Sequence, residues 1–331
     1  MLSRKIYGPI AALIASIALL PANAPSAPPC LVDTLPVHRV VTFHPASHLR
    51  LNDQPIEAIV QSMRTKQSLP LDASVTIHTK QYRAQEGVVI SKNDSKVFIF
   101  ARGFEPRPCA ARAALLYENH VIPTDCPVIG FDFDDSRKQF SFGQDTDIAL
   151  LKQIYESVLQ QNPSAQIIII GNCNGAKVAM ELAAQKPKQL KALILLTPFI
   201  SARALFKRMT QYYVLGAPFS ARLAQSLFSA FTAYDPKKDD LLSRLNQINK
   251  QLPIFIGQRM YDSLVPDEEV EELAELFKKQ GNPLDGLIVY DPSKSHNHLT
   301  FNETIQYRIN RFLKQHNLPY NKTALTKSPT E

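Results

Sequence analysis

The sequence predicts an α/β fold, a doubly wound and mostly parallel sheet with a helical cap inserted into it. Three observations carry this. Short apolar, β-branched runs recur at residues 96–101, 127–132, 167–170, 192–196, 252–257 and 286–290. Segments of helical period fall between them, as crossovers between parallel strands require. Between residues 197 and 251 the alternation stops, and helical segments rich in Phe, Leu, Tyr, Lys and Arg follow one another with no strand.

Taken in order, Arg4 and Lys5 precede an apolar run over 10–20 and then Ala22-Asn23-Ala24. This is the pattern of an export signal occupying residues 1–27, so the protein is expected to be exported. An uncleaved anchor over residues 6–24 is the competing reading and would associate the protein with a membrane. Residues 28–72 form an N-terminal extension with a helix across 56–63 and no functional reading. The α/β domain is expected over 73–316. It opens with an alternating strand at 74–80 and a hairpin partner at 86–90. The uninterrupted run Lys96–Ala101 reads as a strand buried on both faces.

After the strand at 127–132, Ile148, Leu151, Ile154, Tyr155 and Val158 mark one face of a helix that starts at Asp145 or Asp147. The strand at 167–170 leads to a helix at 176–185 and a strand at 192–196. The cap follows at about 199–250. An acidic helix at 268–279, capped by Asp267, and a terminal helix at 302–314 complete the domain. The tail at 317–331 is polar and contains proline, so it is expected to be disordered.

At 331 residues the chain can bury a sizeable core. Its net charge of +7 is spread along the sequence, with no basic stripe interleaved with aromatics, which excludes nucleic acid as the expected partner. Of the four cysteines, Cys109 and Cys126 form the expected bridge in an oxidising compartment, leaving Cys30 over; the alternative is that all are free small hydrophobes. His38, His44 and His48 are irregularly spaced and lack partners for a tetrahedral metal site, and no cofactor is implied.

The most informative segment is Gln-Ile-Ile-Ile-Ile-Gly-Asn-Cys-Asn-Gly-Ala-Lys at 166–177. A β-branched run ends at Gly171, Cys173 sits between Gly171 and Gly175, and a helix-forming stretch follows. A side chain at the tip of such a strand-to-helix turn holds a strained backbone, and a Cβ two residues to either side would crowd it. The helix N-terminus then favours a thiolate, and later an oxyanion, at the same point.

With Gly171-Asn172-Cys173-Asn174-Gly175, then Gly257-Gln-Arg-Met-Tyr-Asp262, then Ser295-His296-Asn297, each after its strand, the chain resembles the α/β-hydrolase family over roughly 74–316. Dienelactone hydrolases of that family also carry cysteine at this elbow. The resemblance implies Cys173 as nucleophile, His296 as general base with His298 as its rival, and Asp262 as the acid that orients the imidazole. It further implies an oxyanion hole from the backbone N–H groups of Phe104 and Asn174. For Asp262 the competing role is a turn cap, and Asp235, Asp239 and Asp240 are weaker candidates in the cap. Two features depart from the family pattern. Arg102-Gly103 stands where His-Gly is frequent, and Arg102 either pairs with a carboxylate or attracts an anionic substrate group. After Asp132, where many members have a Gly- and Ser-containing loop, this chain has Phe133-Asp-Asp-Ser-Arg-Lys138.

The implied function is an exported hydrolase that cleaves an ester or thioester, or transfers its acyl group, through a thioacyl-enzyme, with a small-molecule or acyl substrate. The alternatives are an inactive hydrolase-fold binding module and a peptidase on the same fold.

Overall fold

The computed structural model describes residues 40–45, 73–77, 80–103, 113–131, 133, 142–205, 208, 234–260, 262, 264–289 and 302–326. Among them, nine strands form one sheet: β1 (Val40–Pro45), β2 (Ala73–Ile77), β3 (Lys80–Glu86), β4 (Lys96–Ala101), β5 (Val128–Phe131), β6 (Gln166–Asn172), β7 (Leu190–Leu196), β8 (Ile254–Arg259) and β9 (Leu284–Val289), in the order β2-β3-β1-β5-β4-β6-β7-β8-β9. Every pairing from β5 to β9 is parallel, whereas β1, β2 and β3 are attached antiparallel.

Strand side chains alternate between two cores, as the period of two dictates. Val97, Ile99 and Ala101 of β4 join Ile167 and Ile169 of β6 on one face, beneath α2 (Asp145–Gln161), α3 (Asn174–Ala184) and α5 (Asp267–Gln280). Phe98, Phe100, Ile168 and Ile170 point to the other face. There they pack with Leu116 and Tyr117 of α1 (Leu115–Glu118) and with Ile305, Ile309 and Phe312 of α6 (Glu303–Gln315). Helices on both faces explain why the parallel strands read as unbroken apolar runs.

Between β7 and β8 no strand occurs among the described residues, which carry helical turns at 202–205, Pro236–Lys238 and α4 (Leu242–Leu245). Residues 206, 207 and 209–233 of the expected cap lie outside the described residues, as do residues 1–39 and the helix expected at 56–63. No helix among the described residues is long and apolar enough to cross a membrane.

The structure differs from the sequence reading at several places. The sheet does not begin at residue 73, because β1 lies at 40–45 and bridges β3 to β5. The hairpin partner of β2 is β3, at Lys80–Glu86, with Ile77 opposite Lys80. The apolar Val88, Val89 and Ile90 instead run irregularly and are held by side chains. The Thr42 hydroxyl donates to Gly87 O (2.7 Å) and accepts from Val89 N–H (3.1 Å), while the Gln161 amide takes Ile90 N–H and donates to Val88 O (both 2.7 Å). Asp267 is the first residue of α5, and the N-cap position belongs to Pro266.

Cys126 is a buried free thiol, so the expected bridge to Cys109 is not formed. Burial, reinforced by the Asp125 carboxylate, pushes this thiol up to about 12. Cys30 and Cys109 lie outside the described residues.

The tail is not disordered throughout, since α7 (Lys322–Thr326) packs against α6. Asn310, fully buried on α6, organises this junction. Its Nδ2 donates to His120 O and Gln306 O (both 2.8 Å), and its Oδ1 accepts from Asn321 N–H (2.6 Å). Asn310→Ala removes the side-chain bonds to His120 O and Asn321 N–H at this junction and should lower unfolding free energy by roughly 1–3 kcal/mol. Urea denaturation followed by circular dichroism measures it; a loss below about 0.5 kcal/mol would show that the tail is not held through Asn310.

Candidate functional site

In the strand order, β5 and β6 lie on opposite sides of β4. The chain therefore reverses its winding direction there, and the region beyond the carboxyl ends of β4 and β6 is the usual position of a site in such sheets. The two segments that meet there are Ala101-Arg102-Gly103 and Asn172-Cys173-Asn174.

Cys173 alone separates β6 from α3, and it takes φ 52° and ψ −113°. This conformation costs a non-glycine residue on the order of 1–3 kcal/mol unless its surroundings hold it. Here they do. Cys173 N–H donates to Leu196 O at the end of β7 (2.8 Å), and Cys173 O accepts from Ala176 N–H (3.0 Å) and Lys177 N–H (3.2 Å).

The three glycines act by what they omit. A Cβ on Gly171 would lie 2.6 Å from Gly175 O and from Ala176 Cα, and one on Gly175 would lie 1.8 Å from Ala101 O. One on Gly103 would lie 2.9 Å from Cys173 Cβ and 3.7 Å from its Sγ. The chain after β4 is thus pressed against the Cys173 side chain, which is 9% exposed.

The neighbours of Cys173 are pinned from opposite sides. Asn172 Oδ1 accepts from the Thr197 hydroxyl (3.0 Å), and Thr197 N–H donates to Gly257 O (2.8 Å), so the ends of β6, β7 and β8 are tied together. Asn174 is fully buried and its Nδ2 donates to Asp147 Oδ2 (3.2 Å), which also accepts from Gly143 N–H (2.6 Å). Asn174 Oδ1 is buried without a hydrogen-bond partner among the described residues.

One turn further along α3, Lys177 is fully buried and pairs with Asp239, between β7 and β8 (2.6 Å). Burial alone would raise the Asp239 carboxyl. The Lys177 ammonium, Arg203 N–H and the Ser201 hydroxyl outweigh that and hold it below the usual carboxylate range. Glu181, four residues after Lys177 and on the same helix face, is raised by burial against the opposing charge of Arg244, which it meets at 2.7 Å. Sequence reasoning missed Asp147, Lys177 and Gly143 and ranked Asp239 low. The only signal for them was a lysine and a glutamate on an otherwise small and apolar helix.

Asp262 follows β8 at the same sheet edge as Cys173, since β6, β7 and β8 run parallel. It is 8% exposed, and its Oδ1 accepts from Leu264 N–H (2.8 Å) and Val265 N–H (3.0 Å). It therefore caps its own turn, and the same bonds fix the orientation of its carboxylate. Phe104, His296, His298 and the loop after Asp132, apart from Phe133, lie outside the described residues. The structure thus brings Cys173 and Asn174 together with Gly103 and sets Asp262 on the shared edge. No group of metal-ligating side chains occurs among the described residues.

This architecture is that of the α/β hydrolases. Residues 145–253, from α2 through the Cys173 turn to the cap base, match the family model described as serine aminopeptidase, S33. Among solved structures, a Pyrococcus furiosus esterase is 21% identical with a TM-score of 0.52, covering 74% of this chain and 90% of its own. A thermophilic carboxylesterase cloned from a metagenomic library is 12% identical with a TM-score of 0.51, covering 80% of this chain and 98% of its own. No curated protein matches the sequence.

The glycine contacts make a direct test. Gly175→Ala should destabilise by roughly 3 kcal/mol, because the obstructing atom is backbone and cannot rotate away. Gly281→Ala meets nothing within 4 Å and pays only for its φ of +88°, about 1–2 kcal/mol. Equal shifts of the two denaturation midpoints would refute the close approach of α3 to β4.

Proposed function

We propose that this chain is a hydrolase that cleaves an ester or thioester, or transfers its acyl group, with Cys173 as nucleophile, His296 as general base and Asp262 as the acid behind it. The observation that carries the reading is the backbone of Cys173, held at positive φ between a strand and the first turn of a helix with the chain after β4 against its sulfur. A structural cysteine needs no strained backbone, whereas a nucleophile presented to a substrate does.

In this reading His296 takes the thiol proton and the Cys173 sulfur attacks the substrate carbonyl carbon, moving the π electrons onto oxygen. The N–H groups of Asn174 and Phe104 receive that charge. Collapse expels the alcohol or thiol, which leaves with the proton from His296, and a thioacyl-enzyme remains. Water, deprotonated by the same imidazole, then releases the acid and restores the thiol. Asp262 holds the imidazole N–H with the carboxylate oxygen that is not engaged by Leu264 and Val265. The match of residues 145–253 to an aminopeptidase family supports a second reading, in which the leaving group is an amine. The N-terminal signal pattern supports action outside the cytoplasm.

Incubation with p-nitrophenyl acetate followed by intact-mass measurement should show an acetyl adduct on Cys173. Turnover should be blocked by iodoacetamide and should fall on the order of 10⁴-fold in Cys173→Ala. His296→Ala should lose more than His298→Ala. Faster turnover of an aminoacyl p-nitroanilide than of the ester would favour the peptidase. Unchanged ester turnover in Cys173→Ala would sink the proposal.

A further inference from the structure

The turn at residues 262–266 is held by more than Asp262. Gln258, fully buried at the end of β8, donates from Nε2 to Val265 O (2.8 Å). Arg208, in a helical position at the root of the cap, donates from Nε to Leu264 O (2.8 Å) and from Nη2 to Glu269 Oε2 (2.5 Å). The other Glu269 oxygen accepts from Ile200 N–H, just after β7 (2.8 Å). Leu264 and Val265 are the two residues whose N–H groups bind Asp262 Oδ1. Each of them thus donates its N–H to Asp262 and offers its carbonyl to a side chain from another element.

This is more than packing requires. The Arg208 and Glu269 side chains are only 23% and 12% exposed, and a pair so placed adds little net stability over apolar side chains of similar volume. What the guanidinium provides is a rigid planar fork that fixes the directions of both bonds, to a carbonyl of the turn and to a carboxylate of α5, whereas an ammonium on a flexible stem sets neither. We infer that Arg208 and Gln258 are positioning residues that act through Asp262, and that the root of the cap sets the geometry of the acid. This rests on the reading of Asp262 given above.

The test is a double-mutant cycle on p-nitrophenyl acetate hydrolysis. Arg208→Lys keeps the charge opposite Glu269 and should lower kcat roughly 10–100-fold with KM within about twofold, since an error of about 1 Å in a supporting group has effects of that size. Gln258→Met should act in the same direction. In an Asp262→Asn background neither substitution should lower kcat further, because both act through the same carboxylate. The same cycle read as the iodoacetamide alkylation rate of Cys173 needs no turnover.

If Arg208→Lys changes only the melting temperature, or its loss multiplies with that of Asp262→Asn, the inference is overturned and the triad stands. If Asp262→Asn alone changes neither kcat nor alkylation, the triad reading falls and this inference with it. Should Arg208→Lys not fold, Gln258→Met, which leaves the Arg208–Glu269 pair in place, decides the question by the same criteria.

Discussion

The site depends on one close approach, that of the first turn of α3 to the carboxyl end of β4. A Cβ at Gly175 would sit 1.8 Å from Ala101 O, so the two backbones touch with no side chain between them. That contact fixes where α3 begins, and with it the conformation of the single residue linking α3 to β6. It also brings Gly103 against Cys173. Strand, helix and loop are positioned by the same contact, and a displacement of any one of them moves the sulfur.

A buried site of this kind accumulates polar groups that need partners. Lys177 finds Asp239, Asp147 gathers Gly143 and Asn174, and Arg208 joins Glu269 to the turn of Asp262. Arg208 and Asp239 both belong to the stretch between β7 and β8, one near its start and the other near its end. That stretch is therefore bonded at one position to the turn of Asp262 and at the other to the helix behind Cys173.

The legibility of the sequence followed the physics of each element. β4, β6, β7 and β8 were readable because burial on both faces demands uninterrupted apolar runs. β3, with Lys80, Gln81, Arg83 and Glu86, lies near the sheet edge next to β2 and needs no such run. The apolar Val88-Val89-Ile90 looked like a better strand, yet its backbone bonds are taken by the side chains of Thr42 and Gln161. The tail differs from the sequence reading because Asn310 and Asn321 look like solvent-facing amides until their partners are in place.

By itself the sequence determined the fold class and the order of Cys173 and Asp262 along it, because periodicity and glycine spacing are local properties. Only the tertiary structure decided that Val40–Pro45 belongs to the sheet and that Gly103 touches Cys173. It also decided that Lys177 is buried against Asp239 and that Arg208 grips the turn of Asp262. Each of these joins residues far apart in the chain, and such contacts are set by how the strands pack side by side, which no local pattern encodes.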